Sequence, residues 1–282
     1  MKNNTDIPNK SQNRKYLSVA VVVSILTFTV LAFVFITQKP KSDPVSEAVI
    51  RQVAAKQLNK EPNDLADEDY LKITKFALLE KELSDIKLIE KFSNLQELHL
   101  NSIHFASEKI PKWMKLLAKL GIIDLSKRTS INLSPLKKLP KLKILIISST
   151  RISDIEPLKN NRSLQMLTLN NTWTKDFSSL KGLSNLESLN LNNNKVSDIE
   201  FVSELTNLKT LELWRTGLTD LEPIKKVTNL QQLVIDYALV SNLEPLKELP
   251  HLLMLSIQFC GNINEDEVED LKKALPNMVI VR

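Results

Sequence analysis

The sequence predicts an α/β solenoid: an arc with about ten short parallel strands along its concave face, preceded by one transmembrane helix. Two observations carry this prediction. The spacing Leu-x-x-Leu-x-Leu returns every 22 residues, beginning at residues 142, 164, 186, 208, 230 and 252. A repeat of this length buries its apolar face only by stacking on its neighbours, which builds a solenoid. Before the repeats, residues 16–38 form one uncharged, mostly apolar run.

The charge of the chain is concentrated at its beginning. The formal net charge is +5, and residues 1–42 hold six basic residues against one acidic residue. The charges of all later residues cancel. A neutral repeat domain lacks the basic surface that binds nucleic acid, so we expect no nucleic-acid partner. The single cysteine, Cys260, excludes an intramolecular disulfide.

The uncharged run is predicted to be a signal anchor over residues 16–38, following a cytoplasmic basic tail over residues 1–15. As a helix rising ~1.5 Å per residue, residues 17–37 would span roughly 31 Å, close to the ~30 Å hydrocarbon core. A signal peptide cleaved near Ala32 and a buried soluble helix remain open alternatives. The apolar run continues past Ala32, beyond the ~7–15 residues usual in a cleaved signal.

The basic residues around this run predict its orientation. Four precede it closely, namely Lys2, Lys10, Arg14 and Lys15, and two follow it, Lys39 and Lys41. Because cytoplasmic flanks carry the excess of Lys and Arg, the N-terminus is predicted to be cytoplasmic. The prediction is therefore a single-pass membrane protein with an extracytoplasmic repeat domain.

A linker over residues 39–45 leads into a predicted N-terminal helical cap over residues 46–72. Pro44 suits the start of a helix, and the helical pattern runs from residue 46 to residue 60. Val45, Val49, Val53 and Ala54 share one face of that helix, which is predicted to face the core.

The repeats are predicted to occupy residues 73–262, each with one short strand. These strands are predicted to begin at Ile73, Leu95, Leu120, Leu142, Leu164, Leu186, Leu208, Leu230, Leu252 and Leu275. In each strand the apolar positions point inward, as Leu186, Leu189 and Leu191 illustrate, and the alternating residues point to the concave face.

Two further slots recur in the second half of each repeat. One holds a short polar side chain that can accept backbone N–H bonds and start a helical turn; its members are Asp154, Asp198, Asp220 and Asn242. The other holds proline, whose fixed φ stiffens the same turn; its members are Pro135, Pro157, Pro223 and Pro245. We interpret these acids as capping residues and not as catalytic residues.

The combined pattern, L-x-x-L-x-L-x-x-T/N-x-I/V-S/T-D-I/L-x-P-L, resembles that of bacterial leucine-rich repeat (LRR) proteins of the short, 22-residue type. It is similar to internalin-like proteins and, in repeat type, to the LRR regulatory subunit of protein phosphatase 1. The resemblance covers about residues 73–282. It implies that residues 46–72 are the helical N-terminal cap and that residues 263–282 are a helix-plus-strand C-terminal cap.

The chain departs from this family pattern in two places. The usual ladder Asn is Thr in most repeats, with Asn194 as the exception, and Cys260 falls on the same slot. We interpret Cys260 as structural. The repeat over residues 95–119 is 25 residues long, and residues 110–120 are predicted to form a helix on the outer side.

The sequence contains no recognisable catalytic constellation. The three histidines, His99, His104 and His251, lie outside any metal-binding spacing, and no nucleophile motif or phosphate-binding glycine loop occurs. We therefore predict no enzyme, no catalytic or metal-binding residue, no cofactor and no small-molecule substrate.

The candidate ligand-binding residues lie on the outward positions of the last repeats: Glu212, Trp214, Arg215, Asp236, Tyr237 and Phe259. Trp, Tyr and Arg are the residue types enriched at binding hot spots. An alternative is that these residues shield the strand ends near the C-terminal cap. The outward residues of the middle strands are small and polar, and one group of apolar outward residues precedes them: Ile144, Ile146 and Met166.

The predicted function is non-enzymatic recognition. The chain is interpreted as a membrane-anchored LRR protein that binds a protein or a cell-envelope ligand through its concave face. Two alternatives remain open: a structural or adhesive surface protein, and an intracellular LRR adaptor of the phosphatase-regulator type. A saturable partner would favour recognition over a purely structural role.

Overall fold

A computed structural model describes residues 43–103, 119, 130–152 and 154–282. The predicted basic tail and signal anchor over residues 1–38 lie outside these residues, as do His104 and nearly all of the helix predicted over residues 110–120. Within the described ranges, no helix combines the length and apolar character needed to cross a membrane.

The described residues form one parallel sheet of nine strands, each paired with the strand before and after it in sequence. The strands are β1 (Lys75–Leu79), β2 (Glu97–Asn101), β3 (Ile144–Ser148), β4 (Met166–Asn170), β5 (Ser188–Asn190), β6 (Thr210–Glu212), β7 (Gln232–Val234), β8 (Met254–Ser256) and β9 (Val279–Val281). This sequential, all-parallel order is what stacking of one strand per repeat produces.

Three α-helices and a series of short 3₁₀ turns complete the described fold. The helices are α1 (Pro44–Leu58), α2 (Asp67–Tyr70) and α3 (Glu265–Ala274). The 3₁₀ turns are Pro62–Asp64, Lys87–Lys91, Ser134–Lys138, Glu156–Leu158, Ser178–Gly182, Glu200–Glu204, Glu222–Lys226 and Glu244–Glu248. From Lys87 onward, each turn lies between two successive strands and covers the core on the side away from the sheet.

The core forms because the 22-residue period places like residues side by side. Leu167 pairs with Leu189 in register, and Leu189 with Leu211. All three are fully buried. The alternation of strand residues between core and open face is the one predicted, and the residues between these leucines, such as Asn190, reach the open face.

One predicted strand is corrected by the pairing of its neighbours. Glu97 of β2 pairs directly with Ile144 of β3, so the sheet has no strand between them. The strand predicted to begin at Leu120 therefore does not occupy the third place, and the sheet has nine described strands instead of about ten. One repeat unit thus runs from Leu95 to Leu142, and it contains residues 104–129, which apart from residue 119 lie outside the described ranges.

The N-terminal helix buries most of the predicted face, with one exception. Ala54 is buried and Val49 and Val53 pack against the core, whereas Val45 leaves 60% of its surface exposed. The helix also buries Ser46, whose hydroxyl makes a tertiary contact: it donates to the capping residue Asp43 and accepts from the backbone N–H of Ser84 at 2.9 Å. A polar residue therefore lies at the contact between helix and first repeat, beside the predicted apolar residues.

A buried carboxylate fixes the chain between α1 and β1. Asp69 is 1% exposed and accepts hydrogen bonds from the ammonium groups of Lys60 and Lys72, each at 2.8 Å, and from the backbone N–H of Ala66. These bonds, that of Lys60 first, hold the pKa of Asp69 well below its ordinary value of 3.8. The charged form of Asp69 is therefore the one that stabilises the cap.

The predicted capping slots are occupied as expected. Asp154, Asp198, Asp220 and Asn242 each accept the backbone N–H of the residue two positions later at 2.8–2.9 Å. The proline slot lies at the beginning of the 3₁₀ turns that contain a proline. These acids are thereby engaged in turn formation, which agrees with their interpretation as capping residues.

The ladder slot satisfies backbone groups inside the solenoid. The hydroxyl of Thr150 donates to Leu100 O and accepts from the backbone N–H of Ile103, both at 3.0 Å. Cys260 occupies the same slot, and its thiol donates to Ile235 O at 3.2 Å. Burial raises the pKa of this thiol, which keeps it protonated as a donor. The structural interpretation of Cys260 therefore stands.

At the C-terminal end, a helix and a strand are present where a helix-plus-strand cap was predicted. Asn264 caps α3 by accepting the backbone N–H of Glu267 at 2.8 Å. Helix α3 buries Val268 and Leu271. Strand β9 then pairs with β8 and extends the sheet by one more strand.

Candidate functional site

The open face of the sheet, which the sequence predicts to be concave, changes character along the repeats. Its residues alternate with the core leucines at the third, fifth and seventh positions counted from the repeat leucine. Strands β4 and β5 present small polar residues there, such as Thr168 and Asn190. The last three repeats instead carry a cluster of large side chains.

This cluster, called here the Arg–aromatic stack, consists of Trp214, Arg215, Tyr237 and Phe259. The rings of Tyr237 and Phe259 are stacked, with centroids 4.6 Å apart and planes inclined by 23°. Trp214 meets the ring of Tyr237 edge-on at 6.2 Å. The guanidinium of Arg215 lies over two rings, 5.3 Å from Trp214 and 5.2 Å from Tyr237. The four side chains therefore form one continuous surface.

The stack is solvent-exposed. Phe259 leaves 73% of its surface in solvent and Tyr237 leaves 41%, while Trp214 is half-buried. Side chains of this size normally bury 150–250 Å² in a folded protein. An exposed cluster of this kind provides apolar area for a binding partner.

The backbone positions these side chains through an unusual conformation. The eighth residue of the repeat, which lies one to three residues after the strand, has a positive φ in every repeat from β1 to β8. These residues are Glu80, Ser102, Ser149, Asn171, Asn193, Arg215, Tyr237 and Phe259. In this conformation the backbone N–H of Tyr237 donates to Gln258 O of the next repeat at 2.9 Å, and that of Arg215 donates to Asp236 O at 3.0 Å. The bond between repeats therefore dictates the left-handed turn.

The residue types at this position change along the chain. Asn171 and Asn193 have short polar side chains, which tolerate the left-handed region better than most residues. The last three repeats place Arg, Tyr and Phe there. For bulky side chains a positive φ is a true outlier, and such strain is concentrated at functional sites.

The two acidic candidates belong partly to the internal hydrogen-bond network. Oε2 of Glu212 accepts from the side-chain amides of Asn190 at 2.6 Å and Asn192 at 2.8 Å. Oδ1 of Asp236 accepts from the hydroxyl of Ser256 at 2.6 Å and from the backbone N–H of Gln258 at 2.8 Å. Both carboxylates border the stack, and each uses at least one oxygen to hold neighbouring strands together.

Trp214 is held by the same network. Its backbone N–H donates to Oδ1 of Asn192 at 2.7 Å. This bond fixes the backbone at the end of β6, from which the indole reaches the ring of Tyr237. All six residues predicted from the sequence are thus brought together over the last repeats, four in the stack and two beside it.

At the other end of the open face lies a small charged group. Oε2 of Glu97 is 2.7 Å from the ammonium of Lys75, and its Oε1 is 2.9 Å from Nε2 of His99. The Lys75 ammonium lowers the pKa of Glu97. His99 faces outward as predicted, and these contacts explain it as part of a local ion-pair group.

The described residues form a shallow groove but no metal-binding cluster. Within them, no group of three or more His, Cys, Asp or Glu is arranged to hold a metal ion. A shallow groove of about 510 Å³ runs along the strand-start edge, and Asn185, Asn207 and Asn229 line it. Their amides donate at 2.8 Å to backbone oxygens of the preceding repeat, which identifies them as a structural ladder.

Two exposed apolar residues in the turns beyond the left-handed position were not predicted from the sequence. Trp173 is 57% exposed and Leu239 is 56% exposed, and both lie two residues after the left-handed position of their repeats. Sorting the sequence by repeat position would have revealed them. That position holds Arg151, Trp173, Lys195, Gly217, Leu239 and Gly261.

Comparison with known proteins agrees with this architecture. The family model for leucine-rich repeats (two copies) matches residues 162–204. Residues 162–204 therefore match two leucine-rich repeats. No curated protein matches the sequence. Internalin C2 from Listeria monocytogenes superposes with a TM-score of 0.67 at 23% identity, covering 86% of this chain and 99% of the internalin.

A second solved structure of similar fold comes from another bacterium. An LRR protein from Leptospira interrogans superposes with a TM-score of 0.60 at 21% identity, covering 77% of this chain and 51% of that protein. These likenesses establish an internalin-like LRR fold. A fold of this kind presents one side chain after another along an open sheet.

Proposed function

We propose that this LRR protein is a membrane-anchored recognition module whose repeat domain lies outside the cytoplasm and binds a protein or a cell-envelope ligand without catalysing a reaction. The observation that carries the proposal is the Arg–aromatic stack. Trp, Tyr and Arg are the residues that dominate binding energy in protein interfaces. Here they meet in one exposed surface of the last repeats.

The backbone strain beneath the stack supports a binding role over a structural one. Asn or Gly would stabilise the left-handed positions now held by Arg215, Tyr237 and Phe259. Asn171 and Asn193 at the equivalent positions show that the repeat accommodates the smaller residue. A bulky side chain at such a position reduces stability, so its presence is best explained by what it contacts outside the chain.

The exposure of Phe259 argues against the alternative that these rings shield the strand ends. A side chain that leaves 73% of its surface in solvent covers little of the core beneath it. Leu255 and Ile257, which precede it, are already buried. The stack therefore adds apolar area to the surface of the protein instead of removing it.

The proposed anchor rests on the sequence alone. Residues 16–38 are long and apolar enough to cross a bilayer as a helix, and the basic residues before them favour a cytoplasmic N-terminus. Protease accessibility in intact cells tests this part. With a C-terminal tag, digestion of the repeat domain down to a membrane stub is expected, whereas protection of the whole chain in permeable cells would refute the orientation.

Binding is tested separately with full-length protein in detergent. A saturable partner from cell-surface preparations should be retained by the parent chain, and Tyr237→Ala and Trp214→Ala should each weaken its binding by at least ~5-fold, the effect of losing about 1 kcal/mol or more. Leu253→Ala is the control, because Leu253 is 55% exposed, more than Tyr237 at 41%, but lies at the strand-start edge. Equal affinity of all four proteins would eliminate the stack as the site.

A further inference from the structure

The turns that follow the strands carry positive charge and exposed rings side by side. We call this surface the strand-end rim and define it by six residues: Arg151, Trp173, Lys195, Arg215, Tyr237 and Phe259. They come from six successive repeats, at either the left-handed position or two residues after it. All six are exposed.

None of the three cations of the rim forms a direct ion pair with another described residue. Among the described residues, no carboxylate lies within 4 Å of the charged groups of Arg151, Lys195 or Arg215, whereas most ion pairs of the domain lie elsewhere, as at Lys209 and Glu187. At the two rim positions, no repeat from β3 to β8 carries an acidic residue. The rim thus combines exposed apolar surface with three cations that have no carboxylate partner among the described residues.

The cations and the stacked rings lie in different parts of the rim. Arg151, Lys195 and Arg215 come from the first four of its six repeats, and Trp173 lies between Arg151 and Lys195. Tyr237 and Phe259 follow at the C-terminal end, where their rings stack. One end of the rim therefore favours negative charge and the other favours apolar side chains.

We infer that the strand-end rim binds an extended polypeptide segment in which acidic residues are followed or preceded by large apolar ones. This inference rests on the proposed recognition function and specifies its partner. Neighbouring parallel strands lie about 4.8 Å apart, so five steps from Arg151 to Phe259 span about 24 Å. An extended chain rises about 3.3 Å per residue, so the segment would contain about seven residues.

The charge pattern favours this partner over a neutral glycan. Exposed rings alone would suit the apolar face of a sugar, but a neutral sugar leaves three cations without a counter-charge. Carboxylates of Asp or Glu would pair with these cations, and Arg215 is already oriented by the two rings that flank it.

The test uses the full-length chain in detergent and a displayed library of random 12-residue peptides. Selected peptides should share acidic residues beside aromatic or aliphatic ones. Exposed ion pairs contribute modestly, so R151Q/K195Q/R215Q should together weaken peptide binding roughly fivefold or more at low salt, which corresponds to about 1 kcal/mol. Raising the salt should weaken the parent in the same way.

A matched control removes the same charge elsewhere. Lys143, Arg162 and Lys226 are exposed and lie outside the rim. The K143Q/R162Q/K226Q variant should therefore bind the selected peptides within about twofold of the parent. Equal losses in both triple variants would mean that only net charge matters and would overturn the inference.

The remaining outcomes separate this inference from the proposed function. Peptides that lose binding in Tyr237→Ala but bind equally to R151Q/K195Q/R215Q would overturn the acidic partner and leave recognition by the stack intact. If the neutral glycan maltoheptaose is retained and the selected peptides share no consensus, the acidic partner is likewise overturned and recognition by the stack is left intact. If the selected peptides bind Tyr237→Ala and R151Q/K195Q/R215Q as tightly as the parent, neither the rim nor the stack is the binding site.

Discussion

The strain at Tyr237 can be measured without knowing any ligand, by comparing two substitutions at one position. Both Tyr237→Gly and Tyr237→Ala remove the ring, so both lose the 4.6 Å stacking on Phe259 and the contact with Arg215. These losses cancel in the difference between the two variants. What remains is the backbone, whose φ at this residue is 60°.

Two terms of opposite sign contribute to that difference. The left-handed conformation costs Ala roughly 1–2 kcal/mol, and Gly is free of this cost. Against this, the more flexible unfolded chain of the Gly variant costs about 0.5–1 kcal/mol. We therefore expect Tyr237→Gly to be more stable than Tyr237→Ala by about 0.5–1 kcal/mol.

A strand residue of the same repeat provides the control. Gln232 begins β7, has no positive φ, and points to the open face. There Gly should be less stable than Ala by about 0.5–1 kcal/mol, so the order of the two variants reverses between positions 232 and 237. Urea unfolding of the full-length chain, followed by far-ultraviolet circular dichroism, measures all four variants. If the Ala variant were more stable than the Gly variant at both positions, Tyr237 would not be held in the left-handed region, and the strain argument for a binding role would fail.

Three further predictions concern stability. Asn194 donates to Leu191 O at 3.0 Å and accepts the backbone N–H of Thr172 at 3.0 Å. Asn194→Leu would leave these buried backbone groups without partners and should lower the free energy of unfolding by at least about 2–4 kcal/mol. A thermal melt like that of the parent would contradict the role of Asn194 in the ladder slot. The hydroxyl of Tyr70 is buried without a partner among the described residues, so Tyr70→Phe should leave the melting temperature unchanged or raise it; a clear drop would reveal a partner. The folded-state pKa of Asp69 lies below its ordinary value, so the stabilisation that Asp69 gives the fold is complete above pH 3.8 and is lost as the pH falls further. The acid unfolding of Asp69→Asn should therefore depend less on pH than that of the parent. Equal dependence would refute this role of Asp69.

Much of the candidate site was predictable from periodicity. Trp214, Arg215, Tyr237 and Phe259 fall at neighbouring repeat positions, and a parallel sheet with one strand per repeat brings such positions together. Their ring geometry was not predictable, because the stacking depends on side-chain rotamers. Leu239 and Trp173 were not predicted because they occupy the tenth repeat position, beyond the left-handed eighth position at which the predicted site ended.

The 22-residue period, read from the sequence by itself, determined the inward leucines, the polar capping slots, the proline turns and the ladder slot that holds Thr150 and Cys260. These features depend on spacing within one repeat, and each repeat meets an almost identical neighbour. Local sequence therefore suffices for them.

Tertiary structure alone decided three other features. Pairing of β2 with β3 leaves no place between them for the strand predicted at Leu120, and this pairing is a contact between distant residues that spacing does not encode. The burial of Ser46 on α1 follows from its hydroxyl meeting the loop at Ser84, a contact outside the helix. The left-handed backbone of Tyr237 is imposed by its bond to the next repeat, against the preference of its own side chain. In each case the deciding interaction joins residues that are far apart in the sequence, so no local pattern could reveal it.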